Sequence, residues 1–166
     1  MKKKQLTSDV NRLRIMYVSK HWSVSEWDCW RRNKNVYAWD DEMGRLCTND
    51  SKTEKLFRIL DSLRECDPDW VINTTKYHTE YGTSFKSGFR TVDDGVNTAC
   101  GGAVGSYHTR GCAADIHVAG KDYTDEQLLT MVLTAAGWHG IDGSELGIGC
   151  YGNWLHLDTR GYSSRW

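Results

Sequence analysis

The sequence predicts an α+β domain, a small antiparallel sheet packed with helices, and three observations carry that expectation. Two stretches show helical periodicity behind capping boxes, at Ser51 and at Thr124. Short segments rich in β-formers are set apart from them. No period recurs, and the one proline, Pro68, leaves no proline-rich linker. A length of 166 residues suits one domain with a real core. The expected organisation is a single unit over 1–166, with 1–50 as an irregular N-terminal wrap and 51–166 as the core.

Residues 1–50 read as irregular because "SKHWSVSEWDCWRRNKN" mixes aromatics with charges and has no period. From Ser51 the pattern clears. Ser51 and Glu54 form a capping box, and Leu56, Ile59, Leu60 and Leu63 follow at helical spacing, which predicts a helix to about Cys66. "DWVINTT" (69–75) is short, rich in β-formers and follows Pro68, so it predicts a strand. "SGFRT" turns the chain, and "VDDGVNTAC" predicts a short helix ending before Gly101 and Gly102. "AADIHV" (113–118) alternates as a strand does. Thr124 and Gln127 cap a helix through "LLTMVLTAA", with Gly137 where it should stop. "LGIGCY" and "WLHLDT" close the chain as a hairpin through Gly152.

Composition excludes several classes of function. Lys and Arg (21) balance Asp and Glu (22), so there is no field to collect phosphates and no nucleic-acid partner is expected. The basic start "MKKKQLTSDVNRLRIMYV" is interrupted by Thr7, Ser8, Asp9, Asn11 and Arg12, so no signal peptide is expected, and nothing reads as spanning a membrane. The six cysteines contain no C-x-x-C pair and read mainly as small buried residues with reduced thiols. "GIGCYG" satisfies G-x-G-x-x-G, but a β-like segment follows it where a dinucleotide site needs a helix. A cysteine hydrolase using Cys112 or Cys150 lacks a helix-start context that would lower the thiol pKa.

Chemistry concentrates in "SYHTRGCAADIHV" (106–118) and "WLHLDT" (154–159). A catalytic zinc needs three nitrogen or oxygen ligands and one open position, and His108, Asp115 and His156 can supply them. Gly111 lets the loop bend between the first two. His156 and Asp158, two apart on a strand, share a face. Ordinary hydrogen bonding of lone histidines is the competing reading, and spacing alone does not decide between them.

The combination of motifs resembles the zinc D-Ala-D-Ala peptidases, which cleave peptidoglycan and share the hedgehog fold. "SYHTRGCAAD" fits S-x-H-x-x-G-x-A-x-D, "WLHLDTRG" is similar to a closing F-V-H-V-D-x-R, and "SGFRT" to S-G-Y-R-T. "VNTACGGAVGSYH" and "SKHWSVSEWDC" also look like segments of that family, so the resemblance spans about residues 19–166. It implies zinc on His108, Asp115 and His156, and substrate contacts from Arg90 and Ser106. Arg90 offers a planar fork for a peptide carboxylate, against the alternative of a surface pair with Asp93 or Asp94. Where many members place an acid three residues before the last histidine, this chain has Asn153, a candidate substrate contact. Asp158 then stands as general base or as the group that orients His156, with pairing to Arg160 as the alternative. His117 reads as an oxyanion contact or a surface histidine, His139 as a groove or solvent residue.

The expected activity is hydrolysis of a D-Ala-containing bond in the peptidoglycan stem peptide or cross-link, by a monomer. An L-Ala-D-Glu endopeptidase and an inactive zinc-containing wall-binding module are the alternatives. With no export signal, the expectation is cytoplasmic synthesis and action on the wall after release, as in a phage-type or prophage-type endolysin.

Overall fold

The computed structural model describes residues 15–29 and 36–166. Strands β1 (Tyr17–Val18), β2 (Ala38–Asp40) and β3 (Leu46–Thr48) form a three-stranded sheet in the order β1-β3-β2, with helix α1 (Val24–Trp27) between the first two. Helix α2 (Ser51–Cys66) leads to β4 (Trp70–Ile72), α3 (Val96–Ala99) and a 3-10 turn at Tyr107–Arg110. Then come β5 (Ala113–Val118), α4 (Asp125–Gly137), β6 (Gly147–Cys150), β7 (Leu155–Asp158) and β8 (Ser164–Arg165). The larger sheet has the order β4-β5-β7-β6-β8, antiparallel except for the β6–β8 edge.

The α+β expectation holds, and α2, α4, β5, β6 and β7 stand where the sequence puts them. Two details differ. The N-cap of α2 is Asp50, whose Oδ1 accepts from the Lys52 and Thr53 amides, and Ser51 is the first helical residue. The described part of 15–50 is a small sheet and a helical turn instead of an irregular wrap. Its strands are two or three residues long, too short to leave an alternation in the sequence. Residues 1–14 and 30–35 of that expected wrap lie outside the described residues.

Period-two alternation gives the larger sheet two different faces. Ala114, Ile116 and Val118 of β5, Leu155 and Leu157 of β7, and Ile148 of β6 enter the core with Leu56, Ile59 and Leu60 of α2 and Leu128, Val132 and Ala135 of α4. The residues between them, Asp115, His117, His156 and Asp158, fall on the opposite face. The apolar half of each strand therefore fixes where its polar half points.

Asp61, buried within α2, ties down the N-terminal segment. It accepts from Tyr17 Oη at 2.7 Å, Ser19 Oγ at 2.7 Å, the Lys20 amide at 2.9 Å and the His21 amide at 3.2 Å. This anchoring sets α1, whose Trp27 is fully buried against Phe57 with ring centroids 5.1 Å apart. The Trp27 carbonyl accepts from the Phe89 amide at 2.9 Å, and a side chain at Gly88 would stand 2.1 Å from that same carbonyl oxygen. Only glycine fits there. Gly88→Ala should lower stability by about 1–3 kcal/mol through overpacking, read as a fall in thermal midpoint. An unchanged midpoint would mean that this contact relaxes freely.

Candidate metal centre

The ladder between β5 and β7 pairs Asp115 directly with His156. His108 arrives from the 3-10 turn that precedes β5. Ser106 caps that turn, its Oγ accepting from the His108 amide at 3.4 Å. Gly111 ends it at φ +70, and a Cβ there would sit 2.3 Å from the Tyr37 ring, so both conformation and packing call for glycine. The strand then starts at once. That short path brings His108 over Asp115.

The three expected ligand atoms meet. His108 Nε2 lies 3.2 Å from His156 Nδ1 and 3.2 Å from Asp115 Oδ1, and His156 Nδ1 lies 2.9 Å from Asp115 Oδ1. Ligands about 2.0–2.1 Å from a tetrahedral zinc stand about 3.3 Å apart from one another, so this triangle is close to one face of such a site. Among the described residues it is the one His, Cys, Asp and Glu group with ligand atoms so convergent.

The outer atoms of both rings decide what the inner atoms can do. His108 Nδ1–H donates to the Gly88 carbonyl at 2.7 Å, and a carbonyl can only accept, so Nε2 is left to present a lone pair. His156 Nε2–H donates to Asp158 Oδ2 at 2.9 Å, which turns Nδ1 inward. Two imidazole nitrogens and a carboxylate oxygen thus converge, with each ring steered by a partner behind it. The donor set fits zinc.

The supporting layer is charged and buried. Arg90 Nη2 donates to Asp115 Oδ2 at 2.9 Å and to Ser87 Oγ at 3.0 Å, leaving Oδ1 to face the histidines. Arg160 grips Asp158 through Nε on Oδ1 at 2.7 Å and Nη2 on Oδ2 at 2.5 Å. Burial alone would raise the Asp115 carboxyl, but His108 and His156 hold it well below the usual carboxylate range. Burial acts upward on Asp158 too, and Arg160 and His156 overcome it in the same way. Burial pushes His108 below the usual imidazole range. For His156 burial also acts downward, yet its bonds to Asp115 and Asp158 leave it raised. A cation at Nδ1 answers the same two carboxylates.

The other candidates divide. Arg90 is buried and pairs with Asp115, so the surface pair with Asp93 or Asp94 is not what forms. Ser106 is half-buried beside His108, and Asn153 is exposed. Asp158 is fully buried behind His156, with Arg160 on its far side, which combines the orienting and pairing alternatives. His139 is exposed and engages Ser62 Oγ at 2.7 Å, away from the cluster. Burial, aided by Asp158, pushes the Cys112 thiol up to about 11, the direction opposite to an activated thiolate. Sequence reasoning missed Gly88 and Ser87 as supports, although both lie in the "SGFRT" turn. It also missed Trp166, whose ring centroid lies 5.4 Å from that of His156 and which carries no motif.

His108→Ala, Asp115→Ala and His156→Ala should each lose bound zinc, measured by elemental analysis after dialysis. Full zinc in all three would remove the assignment. The raised His156 implies that protons compete for Nδ1 from above pH 6.5, the ordinary imidazole value, so apparent zinc affinity should fall about tenfold per pH unit on acidification. A flat titration down to pH 5 would contradict this.

The Peptidase M15 family matches residues 45–158, more than half of the chain and all of the segments that carry the cluster. No curated protein and no solved structure matches the chain significantly. The matched region begins at β3 and ends on Asp158, the carboxylate behind the last histidine, and the chain belongs to the Peptidase M15 family, zinc-dependent metallopeptidases of the D-Ala-D-Ala carboxypeptidase type.

Proposed function

We propose that this chain is a zinc-dependent peptidoglycan peptidase that hydrolyses a D-Ala-containing peptide bond of the stem peptide or cross-link. The observation that carries the reading is the triangle of His108 Nε2, Asp115 Oδ1 and His156 Nδ1, braced from behind by Gly88, Arg90 and Asp158. Zinc held by these three residues supplies Lewis-acid activation of a carbonyl and of water at neutral pH. The protein does the rest.

Asp158 is a positioning residue in this reading. It holds the proton on His156 Nε2, keeps Nδ1 turned inward, and is itself held by Arg160. Arg90 holds Asp115 Oδ2, which leaves Oδ1 to face the histidines, and, with Ser106, borders the substrate. Asn153 offers a neutral amide to the substrate.

One observation favours the internal-bond form of the activity, such as an L-Ala-D-Glu endopeptidase. Nη2 of Arg90 is already engaged by Asp115 and Ser87, and the side chain is only 8% exposed, so it is poorly placed to receive a terminal carboxylate. Cleavage between two residues makes no such demand.

The test is mass spectrometry of soluble fragments from purified peptidoglycan incubated with the zinc-loaded chain. New termini that vanish with a chelator and return with zinc are expected, and their masses name the bond. No new termini from zinc-loaded protein would contradict the reading. Asp158→Asn should keep zinc and lose about 10–100-fold in rate; an unchanged rate would remove its positioning role.

A further inference from the structure

Beside the metal centre, on the same face of the sheet, lies a pocket of about 260 Å³ lined by Asn73, Thr74, His117, Asn153 and Trp154. His117 follows Asp115 by two residues on β5, about 7 Å along the strand, and Asn153 precedes His156 by three. The backbone joins the two places directly, since the Asn73 amide donates to the Asp115 carbonyl at 2.9 Å. The pocket therefore adjoins the place where the scissile bond would lie.

Its chemistry is neutral and paired. His117 Nδ1 and Asn73 Oδ1 are 2.6 Å apart, so the imidazole donates to the amide oxygen. That leaves the Asn73 amide N–H as a donor and His117 Nε2 as an acceptor. Turning the amide over and moving the imidazole proton exchanges these roles but still leaves one donor and one acceptor. A secondary amide needs that complement: its carbonyl accepts and its N–H donates. No Lys, Arg, Asp or Glu lines the pocket, so no group there selects for a charge.

One wall is aromatic. Trp154 stacks on Tyr151 with ring centroids 4.1 Å apart and planes 7° from parallel, and Trp166 Nε1 donates to Tyr151 Oη at 2.7 Å, which fixes the pair. A rigid indole beside amide donors and acceptors suits a flat or ring-shaped neutral group.

We propose that this pocket is a substrate subsite for an uncharged secondary amide, with Trp154 as its wall and the Asn73–His117 pair as its hydrogen-bonding floor. The inference rests on the peptidase reading and extends it to the group next to the cleaved bond. Two parts of a peptidoglycan fragment carry that chemistry, the acetamido group of an N-acetylated sugar and a peptide amide of the stem.

The experiment is calorimetric binding to the zinc-loaded full chain of two separate probes, an N-acetylglucosaminyl-N-acetylmuramic acid disaccharide and a sugar-free stem peptide. Mass spectrometry of the same samples counts any cleavage. Trp154→Ala and Asn73→Ala should each weaken binding of one probe about tenfold, with zinc content and circular dichroism unchanged. Trp154→Phe should restore most of the affinity, and Trp138→Ala, an exposed aromatic on α4's far end, should bind as the native chain does. Loss confined to the disaccharide assigns the sugar acetamide; loss confined to the peptide assigns the stem amide. Native affinity for both probes in both pocket variants, or no binding of either probe by the native chain, would overturn the subsite. Cleavage of peptidoglycan together with unaltered binding in the variants would sink the subsite and leave the peptidase reading standing. Trp154-dependent binding without cleavage would sink the peptidase reading and, with it, the subsite's place beside a reacting bond, leaving only an amide-binding pocket.

Discussion

A line of alternating charge runs through the centre of the molecule, from Arg90 to Asp115, across His156, to Asp158 and on to Arg160. Each carboxylate has an arginine on its outer side and the imidazole on its inner side. Asp115 and Asp158 are 7% and 0% exposed, and an unpaired charge at that depth costs several kcal/mol. The arrangement persists because every charge in it is answered. His156 sits at the midpoint, and with its Nε2–H directed to Asp158 its other nitrogen has one direction left, toward Asp115 and His108. The orientation of the candidate metal ligands is thus a consequence of how the buried charges are paired.

The turn at 87–90 holds this line in place from outside the sheet. The Ser87 carbonyl accepts from the Asp115 amide, the Gly88 carbonyl from His108 Nδ1, the Phe89 amide donates to Trp27, and the Arg90 amide donates to the His108 carbonyl. Ser87, Gly88 and Arg90 therefore set the backbone or ring of two candidate ligands and the second carboxylate oxygen of one, while Phe89 ties the turn to Trp27. Their own position depends on Trp27, and Trp27 on the N-terminal segment that Asp61 anchors. This is why a segment remote from the chemistry, and before most of the family match, bears on the geometry of the centre.

Much of this was legible in the sequence where local chemistry dominates. The helices at Ser51–Cys66 and Asp125–Gly137 announce themselves by capping residues and a 3.6-residue stripe, and β5 by alternation, so the shared face of His156 and Asp158 followed from period two, whereas the pairing of Asp115 with His156 is set by the β5–β7 register. His108, Asp115 and His156 were all readable as candidate ligands through their motif, and the structure brings their ligand atoms together. What lay out of reach were contacts set by tertiary packing. The pairing of Arg90 with Asp115 spans 25 residues and competes with nearer aspartates, so no spacing rule selects it. The Asn73–His117 pair and the Tyr151, Trp154 and Trp166 wall join strands through the sheet order, which short strands do not encode. The sheet of residues 17–48 was missed for the same reason.

The centre and its neighbouring pocket divide the work that a peptidase needs: a convergent set of lone pairs for a divalent cation, and neutral polar and aromatic groups for the substrate beside it. The first of these underlies the second, because the subsite has meaning only relative to a reacting bond. The most direct measurement is anomalous diffraction at the zinc edge from crystals of the zinc-loaded chain. One strong peak within bonding distance of His108 Nε2, Asp115 Oδ1 and His156 Nδ1, with Asp158 still on His156 Nε2, is the expected result. A peak bound elsewhere, or an empty triangle in the presence of zinc, would contradict the assignment.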